Sequence, residues 1–367
     1  MSSTEVCGVR DHAAGLARAL DAEGLECSIH WLDRKETALA PARAEVGRWA
    51  QGVGAELERT WPDAVLLHYS VFAFSHRGLP LFGPPALAAA RRARAPILTF
   101  AHEGAYNWHC HGAREAAWAL SQRAVLIEVV RASAALLVTT DDRARWYGSR
   151  RWLAKRPTAV APVFSNLPLA ELRGGVAAPA TVGLFGYSHD GSEPALVLDA
   201  LYSLRADEVP VRLILLGAPG PDSDAGRRWR VAAAERGLAA ALEFTGTLPS
   251  RQLASALSSC TVLLFADTPG PTSRKTALAA GLASASPVLA LDGPRSWPAL
   301  VEAHAALMVE PRVEELAGRL GELLADDGAR AALAARGRSF YDAQMSVEHS
   351  ARTVAVLLDQ VLAAAPG

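Results

Sequence analysis

Short apolar runs without polar interruption, each followed by a longer stretch of helical character, recur along the whole chain. A strand that is apolar throughout, rather than at every second position, is buried on both faces, as in a parallel sheet covered by helices. The first series comprises 64–69, 96–101, 134–140 and 158–163. The second comprises 181–186, 211–217, 242–245, 261–265 and 287–291. Helices are expected between them, among them 10–23, 114–131, 194–205 and 274–285. Repeated β-α units of this kind imply an α/β fold of doubly wound sheets with right-handed crossovers.

A length of 367 residues suits two such domains. The break between the strand series falls at 164–180, FSNLPLAELRGGVAAPA, where two prolines and a glycine pair mark a linker. The expected organisation is a first domain over 1–163, the linker, a second domain over 181–345 and a terminal helical segment over 346–367. That last segment is amphipathic, with Val354, Leu357, Leu358 and Val361 on one stripe. A glycine turn at Cys7–Gly8 calls for a buried strand before it, yet residues 1–6 read MSSTEV, a poor strand. Either that strand is degenerate or the start of the protein lies further upstream.

Composition excludes some classes. Lys and Arg total 37 against 38 acidic residues, so the basic excess of a nucleic-acid-binding domain is absent. The four cysteines, Cys7, Cys27, Cys110 and Cys260, form no Cys-x-x-Cys pair, which argues against a disulfide framework or structural zinc. No signal-peptide pattern opens the chain and no apolar run reaches membrane-spanning length, so a cytoplasmic setting is expected.

In open α/β sheets, ligands bind beyond the carboxyl ends of the strands. Three second-half loops hold that position: 187–193, 218–224 and 266–275. The last, ADTPGPTSRK, runs from a buried strand into the expected helix at Arg274. Thr272 and Ser273 are natural N-caps there, and Arg274 and Lys275 add two cations at the positive helix end. A diphosphate would fit that set; a capped helix with solvent-facing cations is the plainer reading. In the first half, Gly8 and His12 open a helix, His68 ends a strand, and His102 and Glu103 follow another. All lie at strand ends and converge on one sheet edge.

Other motifs resolve less. The spacing of His109, Cys110 and His111 matches no standard metal pattern, and no metal is expected. The stretch from Gly186 to Gly191 fails the Gly-x-Ser-x-Gly spacing of serine hydrolases, and no Gly-x-Gly-x-x-Gly fingerprint occurs. Residues 141–156, read as a helix, interleave six cations with Trp146, Tyr147 and Trp152. Peripheral contact with an anionic membrane, at its inner face, and a solvated face with core aromatics are both open readings.

Taken in order, several segments resemble glycosyltransferase family 4, in particular a bacterial branch with a Ser-Arg-Lys donor loop. They are CGVRDHAAGLARAL at 7–20, LLHYSVFAFSHRGLPL at 66–81, LTFAHE at 98–103 and VAPVFSNLP at 160–168. FTGTLPSRQLASALSSCTVLLF at 244–265 and PTSRKTALAAGLASASPVLAL at 271–291 complete the likeness. The resemblance implies a GT-B fold, two Rossmann-like domains facing a cleft, with the terminal helix returning to the first. It implies a retaining transferase with a nucleotide-sugar donor and no essential metal or other cofactor. The acceptor would be a glycan, a lipid-linked sugar or a small secondary metabolite. By the resemblance, Gly8 approaches the donor diphosphate and His102 faces the donor sugar. Ser273, Arg274 and Lys275 contact phosphate, and Gly246 and Thr247 lie near the base. Ser188 and Thr272 are further donor-side candidates, and His12, His68 and Glu103 acceptor-side ones. Arg274 is the expected stabiliser of the leaving diphosphate.

The sequence also departs from that family. Two glutamates common in it correspond here to Thr272 and Ala280, and a common basic residue corresponds to Asp190, before Gly191. Two alternatives follow: a catalytically degenerate protein that binds a sugar nucleotide or a partner enzyme, and a sugar-nucleotide epimerase.

Overall fold

The computed structural model describes residues 7–105, 112–169, 180–188 and 192–364. They divide into two compact units, one of Met1–Pro162 with Val347–Gly367, the other of Val163–Ser346.

Unit 1 begins with helices α1 (Gly8–Ala22) and α2 (Leu39–Thr60). Strand β1 (Val65–Ser70), helix α3 (Gly83–Arg91), strand β2 (Ile97–Glu103) and helix α4 (Ala113–Ala132) follow. Strand β3 (Ser133–Val138), helix α5 (Asp141–Ser149) and strand β4 (Thr158–Val160) complete its first stretch. The strands form a parallel sheet in the order β1-β2-β3-β4. Its core gathers Tyr69, Phe82, Ile97, Leu126, Leu136 and Val138, contributed by strands and helices alike. Residues 1–6, where the sequence leaves the first strand in question, lie outside the described residues.

Unit 2 opens with β5 (Ala180–Phe185), α6 (Pro194–Ala206), β6 (Val211–Leu216), α7 (Asp224–Glu235) and β7 (Leu242–Gly246). It continues through α8 (Ser250–Ser258), β8 (Val262–Phe265), α9 (Thr276–Ala283) and β9 (Val288–Leu291). Helix α10 (Pro298–Glu302), strand β10 (Leu307–Val309) and helices α11 (Val313–Ala325) and α12 (Asp327–Gln344) end it. Its six-stranded sheet runs β10-β9-β8-β5-β6-β7, and the pairings are all parallel. The sheet therefore grows one way from β5 through β7 and the other way from β8 through β10, the Rossmann order with its switch point between β5 and β8. Apolar clusters cover both faces, one around Leu201, Trp229 and Leu316, the other around Leu257, Leu278 and Phe340. Double coverage is why the central strands β5, β8 and β9 read as almost wholly apolar runs.

Gly183, in the middle of β5, shows how tightly that sheet is covered. A Cβ there would meet Cys260 Sγ at 2.4 Å and Leu263 Cδ2 at 2.9 Å.

Helix α13 (Val347–Ala364) belongs to unit 1 and packs on α1. Val354, Leu357 and Val361 of the expected stripe are buried in it, with Leu358 at the stripe's edge. Ser350 donates to the Pro162 carbonyl at 3.3 Å.

Three expectations need correction. The strand expected over 158–163 ends at Val160. The basic stretch 141–156 is no continuous helix, because α5 stops at Ser149. Within that stretch Arg156 donates to the carbonyls of Val130 and Arg131 at the end of α4, and Tyr147 is buried. Its cations are thus partly spent on the fold itself. Third, the helix expected from Arg274 starts at Thr276, two residues later, with consequences for the site below. Among the described residues, no helix is long and apolar enough to cross a membrane.

Candidate functional site

Each unit places candidate residues at the carboxyl edge of its own sheet, and the two edges differ in chemistry.

In unit 1 the first turn of α1, the body of β1 and the end of β2 bring His12, His68 and His102 together. His68 Nδ1 lies 3.0 Å from His102 Nε2, a hydrogen bond in which the tautomers decide the donor. Ring centroids are 5.3 Å apart for that pair, 5.0 Å for His12 and His102, and 5.8 Å for His12 and His68. Phe100 stacks on His102 at 4.7 Å and meets the edge of His12 at 4.9 Å, so an apolar wall backs the cluster. Burial pushes the His12 imidazole down to about 3, with His68 adding to the effect. Burial likewise lowers His68 to about 4. His102 falls well below the usual imidazole value, through burial first and then its neighbours His68, His12 and Arg143. All three are neutral near pH 7.

Glu103 leaves this cluster. Its carboxylate pairs with Arg143 Nη2 at 3.3 Å. Arg143 also donates from Nη1 to the His102 carbonyl and to Thr139 Oγ1. This arginine braces the end of β2, a role no sequence motif signalled. Gly8 opens α1 after Cys7, which makes no side-chain cap. Among the described residues, a Cβ at Gly8 would meet no atom within 4 Å.

In unit 2 the loop from Ala266 to Lys275 leaves β8 at the switch point. Its backbone is held by Arg295 and Trp297 of the next loop: Arg295 N donates to the Pro269 carbonyl and Trp297 N to that of Pro271, each at 2.8 Å. Gly270 adopts φ +95°, and a Cβ there would lie 2.4 Å from Ser296 Oγ, so both conformation and space call for glycine. Lys275 N closes a turn onto the Thr272 carbonyl, and the Ser273 carbonyl accepts from Val163 N. These bonds pin 272–274 outside the helix. The N-cap of α9 is consequently Lys275, in extended conformation and with no side-chain cap bond, rather than Thr272 or Ser273.

The side chains of that loop then separate in role. Ser273 is buried, Arg274 exposed, and Thr272 Oγ1 is buried with no hydrogen-bond partner among the described residues. Lys275 Nζ pairs with the buried Asp267 at 2.6 Å. The backbone of Asp267 also forms an antiparallel β-bridge with Ser192, whose buried Oγ has no hydrogen-bond partner among the described residues. Asp267 and Ser192 were missed by sequence reasoning, although Asp267 stands two residues after the end of β8 at Phe265. Both line a narrow recess of about 10 Å³, room for a single water, with Gly186 and Ala277.

Ser188 is exposed after β5. Its neighbour Tyr187 is fully buried and receives a 2.7 Å hydrogen bond from Gly220 N, tying the loop after β5 to the one after β6. Gly246, at φ +63°, and the exposed Thr247 end β7. Strands β5 and β6 separate β7 from β8, so this pair stands about 14 Å along the sheet edge from the Thr272 group. Ala280 is buried in the core of unit 2 and faces no site. Asp190, Gly191, His109, Cys110 and His111 lie outside the described residues. A larger cavity of about 550 Å³ in unit 1, between Val46, Leu81, Pro85 and Val125, contains none of the predicted site residues.

No protein-family model matches the chain, and no curated protein matches it by sequence. Solved structures do match it in fold. Sucrose-phosphate synthase from Thermosynechococcus elongatus aligns at a TM-score of 0.66 with 17% identity, over 96% of this chain and 93% of that one. WaaG, a glycosyltransferase involved in lipopolysaccharide biosynthesis, aligns at 0.64 with 14% identity over 96% and 97%. HepE of Anabaena, solved in complex with UDP and glucose, aligns at 0.62 with 14% identity over 98% of both chains. The chain has the fold of these GT-B glycosyltransferases, two Rossmann-like α/β domains.

Proposed function

We propose that the chain is a retaining glycosyltransferase that takes a sugar from a nucleoside-diphosphate donor, as family 4 resemblance suggests. The observation that carries the reading is the 266–275 loop at the switch point of unit 2. It combines an unpartnered Thr272 hydroxyl, the cations Arg274 and Lys275, and the N-terminus of α9, on a fold shared with glycosyltransferases. A diphosphate matches that set in charge and in hydrogen-bonding capacity. UDP in the HepE structure makes a uridine donor the first to try.

In this reading Ser273 contributes backbone, Thr272 its hydroxyl, and Lys275 a charge held in place by Asp267. Gly246 and Thr247 serve the base and Ser188 the phosphate side. The bond between the anomeric carbon and the phosphate oxygen breaks as the acceptor oxygen bonds to that carbon from the same face. The acceptor proton passes to the departing phosphate oxygen. Arg274 meets the charge that develops there, so the step needs no metal. His102 contacts the sugar, while His12, His68 and Glu103 shape the acceptor side. The acceptor is a glycan, a lipid-linked sugar or a small metabolite, met in a cytoplasmic setting.

A second reading has its own observation. Ala280 is buried at a position where the family the sequence resembles commonly has a glutamate, which favours a protein that binds the donor without turning it over. Incubation with UDP-, GDP-, ADP- and dTDP-sugars and mixed acceptors, followed by chromatography, separates the readings. Release of nucleoside diphosphate with a glycosylated product supports transfer. Binding without release supports the second reading, and a changed sugar on an intact donor points to epimerisation.

A further inference from the structure

His12, His68 and His102 come from three separate elements, yet one nitrogen of each lies within 4.8 Å of the others. We propose that this trio is a binding site for a single divalent transition-metal ion, zinc being the reference ion.

The geometry supports the assignment. A tetrahedral ion about 2 Å from each nitrogen would set the imidazole centroids about 5 Å apart. The observed centroid separations are 5.0, 5.3 and 5.8 Å. His68 and His102 now face each other through a hydrogen bond. Ion binding exchanges that one hydrogen bond for metal–nitrogen bonds. An all-imidazole set selects zinc, copper, nickel or cobalt over magnesium and calcium, which require oxygen ligands. The neighbouring carboxylate, Glu103, is engaged by Arg143. Arg143 also fixes the His102 carbonyl, which limits how far the end of β2 can move when an ion enters. Three protein ligands leave a fourth position for water or another donor. The sequence did not suggest this site, because its ligands are spread over three segments instead of one short motif.

The test is titration of the chelator-stripped full-length protein with Co²⁺, read by visible absorption, with Zn²⁺ as competitor. The expected result is one equivalent bound, with the intense bands of a tetrahedral ion that Zn²⁺ abolishes. His12→Gln, His68→Gln and His102→Gln should each weaken binding more than loss of an outer hydrogen-bond partner does, roughly 10–100-fold. His76→Gln, outside the trio, should bind as the parent does. Absence of stoichiometric binding, or unchanged binding in the three variants, overturns the proposal. Should a variant misfold by circular dichroism, X-ray absorption of the zinc-loaded parent decides. A shell of three imidazole nitrogens supports the site, and a sulfur or all-oxygen shell overturns it.

Because His102 is also assigned to the donor sugar, Zn²⁺ should suppress transfer. That consequence rests on the transfer reading, whereas the titration uses no donor and stands or fails by itself.

Discussion

The carboxyl edge of unit 1 is built from imidazoles drawn into an apolar setting, whereas that of unit 2 is built from cations, hydroxyls and exposed backbone. In unit 1, Phe100 and burial keep His12, His68 and His102 neutral, and the local arginine is consumed as a brace. In unit 2, Arg274 reaches solvent and Lys275 is steered by one buried carboxylate. Similar sheets therefore present different ligand chemistry. An anion belongs on the second edge, and a neutral donor set that accepts hydrogen bonds or a soft cation belongs on the first.

Arg274 offers the hardest test of that contrast. Arg274→Ala should lower release of nucleoside diphosphate by roughly 100–1,000-fold, the usual cost of removing one preorganised stabiliser. Because its side chain is exposed, any fall in melting temperature should be small beside the loss of activity. A comparable loss of activity with a large loss of stability would assign Arg274 to the fold instead.

Lys275→Met should act on both properties. It strands the buried Asp267 carboxylate, so chemical denaturation should show a loss on the order of 3 kcal/mol. The double variant Lys275→Met/Asp267→Asn should recover much of the stability and none of the donor affinity. Recovery of both would show that Lys275 matters only as a partner of Asp267.

Acid should distinguish the units next. The folded-state values of His12, about 3, and His68, about 4, lie below the ordinary 6.5, so the unfolded chain binds the extra protons. Their contribution is complete above pH 6.5 and is lost as the pH falls from there toward 4, at up to about 1.4 kcal/mol per pH unit for each histidine. Denaturation of the metal-free protein between pH 7.5 and 5 should show that slope, and His12→Phe should flatten it. An unchanged slope in the variant would remove His12 from the account.

Two smaller effects probe the covered sheet of unit 2. Gly183→Ala should cost roughly 1–3 kcal/mol in thermal or chemical unfolding, because its Cβ would press on Cys260 and Leu263. Burial pushes the Cys260 thiol up to about 12, so it should resist iodoacetamide at pH 8 in the folded protein. Mass spectrometry should find Cys7, part-exposed, alkylated well before Cys260.

Much of this was legible in the sequence, and the remainder has physical causes. The buried strands announced themselves because parallel strands covered on both faces carry few polar residues to disguise them. Strand β10, three residues of Leu307–Val309, was too short to stand out from its flanking helices. The start of α9 was misplaced because Thr272 and Ser273 have the chemistry of caps, while a tertiary bond from Val163 to the Ser273 carbonyl decides the backbone. His12, near a helix start, and His68 and His102, near the carboxyl ends of strands, could be named individually. Their meeting depends on the parallel register of β1 and β2, which sets His68 opposite Phe100, and no local pattern reports it. Lys275 and Asp267 sit in one short loop, yet their pairing follows from its glycine-dependent turn, not from their spacing.

Calorimetric titration of the purified protein with UDP and UDP-, GDP-, ADP- and dTDP-sugars tests the central claim most directly, with Arg274→Ala run beside the parent. The account predicts that the parent binds one nucleotide series and that the variant binds it far more weakly. A folded parent that binds none of them, or a variant that binds as tightly as the parent, would contradict it.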